Sequence, residues 1–75
     1  MSETVKDYLV VFEKAEHNWA AYSPDVPGCV ATGKTRQETA RNFAEALAFH
    51  FEGLREDGLP IPEPTAEAER IGVPG

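Results

Sequence analysis

The sequence predicts an α+β domain: an antiparallel sheet of three or four strands, ordered β-β-β-α-β, with one long helix packed on one face. Three observations carry that expectation. Three short runs rich in aromatic and β-branched residues occupy the first half of the chain, separated by polar or Pro/Gly punctuation. One unbroken helical pattern follows, with apolar residues at steps of three and four. Seventy-five residues leave room for one small unit, so 1–75 reads as a single domain. Its core should span about 5–62, with 63–75 as an extended tail or a short fourth strand.

Tyr8-Leu9-Val10-Val11-Phe12 is the first predicted strand. Lys14 to Asn18 is polar and makes the hairpin loop, and Trp19 to Ser23 is the second strand. Pro24 to Gly28 reads as a rigid turn: proline fixes φ, Asp25 bonds neighbouring backbone, and Gly28 supplies unusual dihedrals. Cys29 to Thr32 is a short third strand that Gly33 breaks. Thr35-Arg36-Gln37-Glu38 fits a capping box, so the helix should open at Arg36 and run to Asp57, where Gly58 ends it in the left-handed region. At 1.5 Å per residue that helix is about 33 Å long. Ala40, Phe43, Ala44, Leu47, Phe51 and Leu54 form its apolar stripe. Leu59-Pro60-Ile61-Pro62-Glu63-Pro64 must be extended, because each proline pushes its predecessor out of the helical region. Ile71 and Val73 allow a short fourth strand within Ala68 to Val73, limited by Gly72 and Pro74.

Composition excludes several roles. The net charge is −6, from 7 basic and 13 acidic residues, which disfavours nucleic-acid binding and suits a basic protein partner or plain solubility. Lys34, Arg36, Arg41 and Arg55 do not share one face, so no direct nucleic-acid contact is expected. Cys29 is alone, which rules out an intrachain disulfide and suggests an intracellular chain. His17, Cys29 and His50 lack ligand spacing, so neither metal nor cofactor is expected. No apolar run approaches the ~20 residues that span a membrane. Met-Ser-Glu-Thr-Val-Lys lacks the order of a signal peptide, and the expected location is cytoplasmic.

Gly28-Cys29-Val30-Ala31-Thr32-Gly33-Lys34-Thr35 satisfies the phosphate-loop pattern letter for letter. The order of elements is wrong for it. Pro24 and Pro27 bar a central strand before the first glycine, and Cys29 to Thr32 prefer a strand where an open loop is needed. A nucleophilic role for Cys29 would need His17 or His50 as its base, and both lie on other elements. Glu38, Glu45, Glu52 and Glu56 read as a solvated helix face. The chain is therefore expected not to be an enzyme.

Two surfaces look too apolar for a lone chain. In the first strand Tyr8, Val10 and Phe12 point one way and Leu9 and Val11 the other, yet one helix covers one face. Either the second face tolerates exposure or another protein covers it. Phe49 lies opposite the core stripe, flanked by Ala46 and Gly53; either Leu59–Pro64 folds back over it or another chain meets it. Tyr8, Val10, Phe12, Trp19 and Phe49 are the expected partner or oligomer interface. A core this small supplies only about 3–5 kcal/mol, so a homo-oligomer, dimer or tetramer, is expected to add the rest.

The central stretch carries a resemblance. Tyr22, Pro24, Asp25, Pro27, Gly28 and Cys29, then a short strand, Gly33, Thr35 and the helix-opening Glu38 resemble the motif of the HicB-like antitoxin family. Gly58-Leu59-Pro60-Ile61-Pro62 is similar to that family's exit from the helix. The resemblance implies the same β-β-β-α-β arrangement, sometimes described as partly ribonuclease-H-like. It implies an antitoxin that binds and inhibits a small basic toxin, HicA, which cleaves messenger RNA. Full-length members usually add a C-terminal DNA-binding module, for which the eleven residues after Pro64 (65–75) are too few. The alternative function is a homo-oligomeric domain that binds or senses a small molecule.

The phosphate-loop match yields a direct test. Calorimetric titration with ATP should give no heat, Lys34→Ala should change stability by less than about 0.5 kcal/mol, and Thr35→Ala should cost about 0.5–2 kcal/mol. Micromolar ATP binding that Lys34→Ala abolishes would overturn the reading.

Overall fold

A computed structural model describes residues 6–75. The expected start of the core at Val5, and most of the N-terminal segment read for a signal peptide, lie outside the described residues. Three strands and one helix follow in order: β1 (Val11–Lys14), β2 (Trp19–Ser23), β3 (Val26–Gly33) and α1 (Arg36–Glu56). The sheet is antiparallel throughout, ordered β1-β2-β3, and α1 lies across one face, over β3 and β2.

The first strand begins three residues later than Tyr8 and runs on to Lys14. Register explains the shift. Val11 pairs with Tyr22 and Lys14 with Trp19, so residues 8–10 fall opposite the point where β2 ends and the chain turns at Pro24. Tyr8 finds another partner, its hydroxyl donating to Pro62 O at 2.5 Å. The hairpin loop shortens to Ala15–Asn18, closed by Ala15 N donating to Asn18 O at 2.8 Å.

β3 is longer than its sequence suggests, and the turn before it is tighter. Only Pro24 and Asp25 turn; Val26 already pairs with Ser23. The next pair is Tyr22 with Val30, which leaves Pro27, Gly28 and Cys29 in a bulge opposite no residue of β2. A bulge accommodates both anomalies of this stretch: Pro27 needs no ladder partner for the N–H it lacks, and Gly28 takes φ of +88°.

The Thr35 side chain caps α1, its Oγ1 accepting from Glu38 N at 3.0 Å. Glu38 Oε1 in turn accepts from Lys34 N, one residue before the cap, at 3.4 Å. At the other end Gly58 adopts φ of +70°, Leu59 N donates to Leu54 O and Gly58 N to Arg55 O. That pair of bonds is a Schellman motif.

The core is small: Ala21, Val26, Cys29, Ala31 and Phe43, with Tyr8, Val10, Phe12, Ala46, Leu47 and Phe51 packed partly against it. The buried stripe of α1 is centred on Phe43 and turned toward Thr39 and Ala46, so Ala44, expected inside, is exposed. The cause lies at the helix start. Thr39 is fully buried, its hydroxyl donating to Thr35 O at 2.7 Å, and it sits against Gly33. Residues 59–75 form no strand, so the expected fourth strand at Ala68–Val73 is not part of this sheet. Gly72 and Pro74 limit pairing there, as their backbone chemistry requires.

A Cβ on Gly33 would lie 2.6 Å from Thr39 Oγ1 and 2.9 Å from Thr39 N, with backbone that cannot yield easily. Gly33→Ala should therefore destabilise the chain by about 1–3 kcal/mol in chemical denaturation. A neutral effect would show that α1 is not seated this closely on β3.

Candidate interaction surfaces

Alternation along the paired strands assigns every side chain to one of two faces. Phe12, Ala21 and Ala31 are Cα partners across the sheet and face α1. Val11, Tyr22 and Val30 form the adjacent row and face away, as do Glu13, Ala20 and Thr32. Tyr22 is 38% exposed and Val30 62% exposed. This open face carries an apolar cross-strand ladder with one carboxylate, Glu13, beside it.

The residues expected at an interface divide between several places. Tyr8, Val10 and Phe12 lie on the helix-covered side, packed against the core. The Tyr8 ring meets Phe51 with centroids 5.3 Å apart, and the Arg36 guanidinium stands 4.2 Å above the Phe12 ring. Trp19 is half-buried at the end of the same side, opposite Lys14 and Gly33, with Lys14 Nζ 6.0 Å from its ring. Phe49 is 78% exposed on the flank of α1. It lines a groove with Gly28, Cys29, Val30, Ala46 and Gly53 along the free edge of β3. Leu59–Pro64 does not cover it; that segment passes instead by Tyr8, Phe51 and Arg55. The residue composition of Tyr22 and Val30 was visible in the sequence, but only strand register shows that they share the open face.

Asp25 has a role that turn chemistry did not suggest. Its carboxylate accepts from Thr65 N at 3.0 Å, Thr65 Oγ1 at 3.1 Å and Ala66 N at 2.9 Å. These bonds tie the C-terminal segment to the β2–β3 turn, and Lys6 adds an ion pair to Glu63 at 2.7 Å. The bond from Ala66 N, followed by those from Thr65, holds the Asp25 carboxyl below its ordinary value of 3.8.

Nucleophilic chemistry has little to work with. Cys29 is buried, and burial pushes its thiol pKa up, away from the thiolate that reacts. His17 lies exposed on the hairpin, while His50 sits on α1 beside Phe51. Gly28 to Gly33, the would-be phosphate loop, is part of β3. Among the described residues no cluster of three or more His, Cys, Asp or Glu could hold a metal, and no helix is long and apolar enough to cross a membrane.

Comparison with known proteins converges on one description. Residues 8–74 match the model of a "HicB_like antitoxin of bacterial toxin-antitoxin system". An uncharacterised 14.9 kDa protein of Haemophilus phage HP1 is 36% identical over 67 residues, which is 89% of this chain and 50% of that one. Antitoxin HicB 2 of Photorhabdus laumondii is 36% identical over 69 residues, 92% of this chain and 49% of the relative. The chain thus spans about half the length of these two relatives. A chain of the solved HicA3 and HicB3 toxin-antitoxin complex superposes with a TM-score of 0.64 at 31% identity, covering 79% of this chain and 72% of that one.

The Asp25 tether should titrate. A carboxylate with a lowered folded pKa contributes stability above its unfolded value and loses it as pH falls through the folded one. The Thr65 and Ala66 amide proton shifts should therefore hold steady at neutral pH and move together once pH drops below 3.8. Asp25→Ala should abolish that step. Amide shifts insensitive to both changes would remove the tether.

Proposed function

Since the chain belongs to the HicB-like antitoxin family, we propose that it is an antitoxin module that neutralises a small basic HicA-like, messenger-RNA-cleaving toxin by covering it. The observation that carries this reading is the open sheet face, where Val11, Tyr22 and Val30 form an apolar ladder on an acidic chain. An aromatic side chain in a desolvated patch supplies the kind of anchor on which interfaces concentrate their energy. The charge of −6 steers a basic partner to it and suppresses wrong ones. Likeness to a chain of a toxin–antitoxin complex supports the same partner class.

The module acts without chemistry. Cys29 is buried and unactivated, and His17 and His50 lie on separate elements, so inhibition is stoichiometric. Its place of action is the cytoplasm, where messenger RNA is exposed to the toxin. It also self-associates: the core holds a single large side chain, Phe43, among its buried residues. Val30 is 62% exposed and Phe49 78% exposed. One chain folded on itself does not close its apolar surface.

Co-expression with a HicA-like toxin tests the reading. Growth arrest should be relieved by equimolar antitoxin, while Tyr22→Asp, checked by circular dichroism for retained fold, should abolish relief. Binding should also slow in high salt. Relief that survives Tyr22→Asp would remove this face, and relief by far less than equimolar protein would exclude occlusion.

A further inference from the structure

The segment that follows α1 lies on the molecule without being built into it. No side chain from Leu59 to Gly75 is fully buried. Among the described residues, its backbone makes no backbone–backbone hydrogen bond beyond the one from Leu59 N to Leu54 O. Pro62, Pro64 and Ala66 are half-buried while Glu63, Thr65 and Glu67 are exposed, the alternation of an extended chain laid on a surface.

Side-chain contacts between Pro62 and Ala66 hold the segment in place. Tyr8 Oη donates to Pro62 O at 2.5 Å, Lys6 pairs with Glu63 at 2.7 Å, and the Asp25 carboxylate accepts from Thr65 N, Thr65 Oγ1 and Ala66 N. Further along, residues 68–70 line a groove with Leu9, Val10, Val11 and Phe12, by the edge of β1 that β2 leaves free. The segment is thereby fastened both to the approach to β1 and to the β2–β3 turn.

Its composition makes these fastenings act together. Pro60, Pro62 and Pro64 fix φ at alternate positions, and a segment so built behaves as a stiff extended rod over several residues. At roughly 3.1 Å per residue, the rod holds the contacts at Pro62 and Thr65 about 9 Å apart. It cannot buckle to release one and keep the other. Gly58, at φ of +70°, joins it to α1. Segments with few buried apolar contacts open at a lower free energy than the core does.

We propose that residues 59–70 are a strap that opens as one unit about Gly58 while the sheet and α1 stay folded, and that the closed strap covers Tyr8 and the free edge of β1. Opening breaks the contacts to Tyr8, Lys6 and Asp25 together. It withdraws Ile61 from the pocket that it lines with Tyr8 and Phe51, and residues 68–70 from beside Leu9 to Phe12. A free strand edge recruits other strands unless something covers it. The strap thus governs access to β1.

Hydrogen exchange followed by NMR on the full chain tests the unit. The Thr65 and Ala66 amides should share one protection factor, at least about tenfold below those of Ala21 in the sheet and Phe43 in α1. Tyr8→Phe keeps the ring and removes only the bond to Pro62, yet it should lower protection at Thr65 and Ala66 by a common factor of about 2 to 10, the loss of one net hydrogen bond. The reverse experiment reads the other end: Asp25→Ala should speed nitration of Tyr8, mapped by mass spectrometry. Thr65 and Ala66 amides as protected as Ala21 would mean that the strap opens only with the whole chain, and would overturn the proposal. Protection there that ignores Tyr8→Phe, or Tyr8 nitration that ignores Asp25→Ala, would show the fastenings to be independent and overturn it equally.

Discussion

The first turn of α1 rests so closely on the end of β3 that Gly33 has no room for a Cβ beside Thr39. The Thr35 cap, two residues beyond Gly33, sets the direction of the helix, and the buried Thr39 hydroxyl bonds back to Thr35 O rather than remaining unpaired. Seated there, α1 lies over β3 and β2 and presses Phe43 onto Ala21 and Ala31. The core is made largely of small side chains because the helix comes this near. What the helix does not cover is fixed by the same contact: the far face of the sheet, the free edge of β3, and the flank that carries Phe49.

The proline-rich segments have unlike mechanical roles. Pro24 and Asp25 make a two-residue turn, and Pro27 and Gly28 sit in the bulge that follows. The bulge absorbs three residues without changing which face Cys29 and Ala31 present to the helix, since both are buried. Asp25 then reaches forty residues along the chain to hold Thr65 and Ala66. The turn thereby anchors the C-terminal segment as well as shaping the entry to β3, and it does so with a carboxylate whose three acceptor contacts stabilise the ionised form.

The chain combines a net charge of −6 with exposed apolar side chains at Tyr22, Val30 and Phe49. Here the apolar area is divided. The Val11–Tyr22–Val30 ladder lies on the open face with Glu13 beside it, while Phe49 stands on a flank of α1 that also carries the exposed Glu45, Glu52 and Glu56. Apolar surface on an acidic background suits a basic partner.

Much of this was legible in the residues themselves. The strand at Trp19–Ser23, the capping box at Thr35 and Glu38, the helix from Arg36 and its stop at Gly58 are local events, decided by side-chain chemistry within a few positions. The family was legible too, because its motif sits in those same local turns. Three things were not. The limits of β1 depend on where β2 ends, since a strand needs a partner for its hydrogen bonds, and Tyr8–Val10 have none. The face of β1 that meets the helix depends on cross-strand register, because Tyr8, Val10 and Phe12 are as apolar as Leu9 and Val11. The partner of Asp25 lies forty residues away, and no spacing rule connects the two. Local chemistry chose the elements; pairing between distant segments decided which of their faces stayed open.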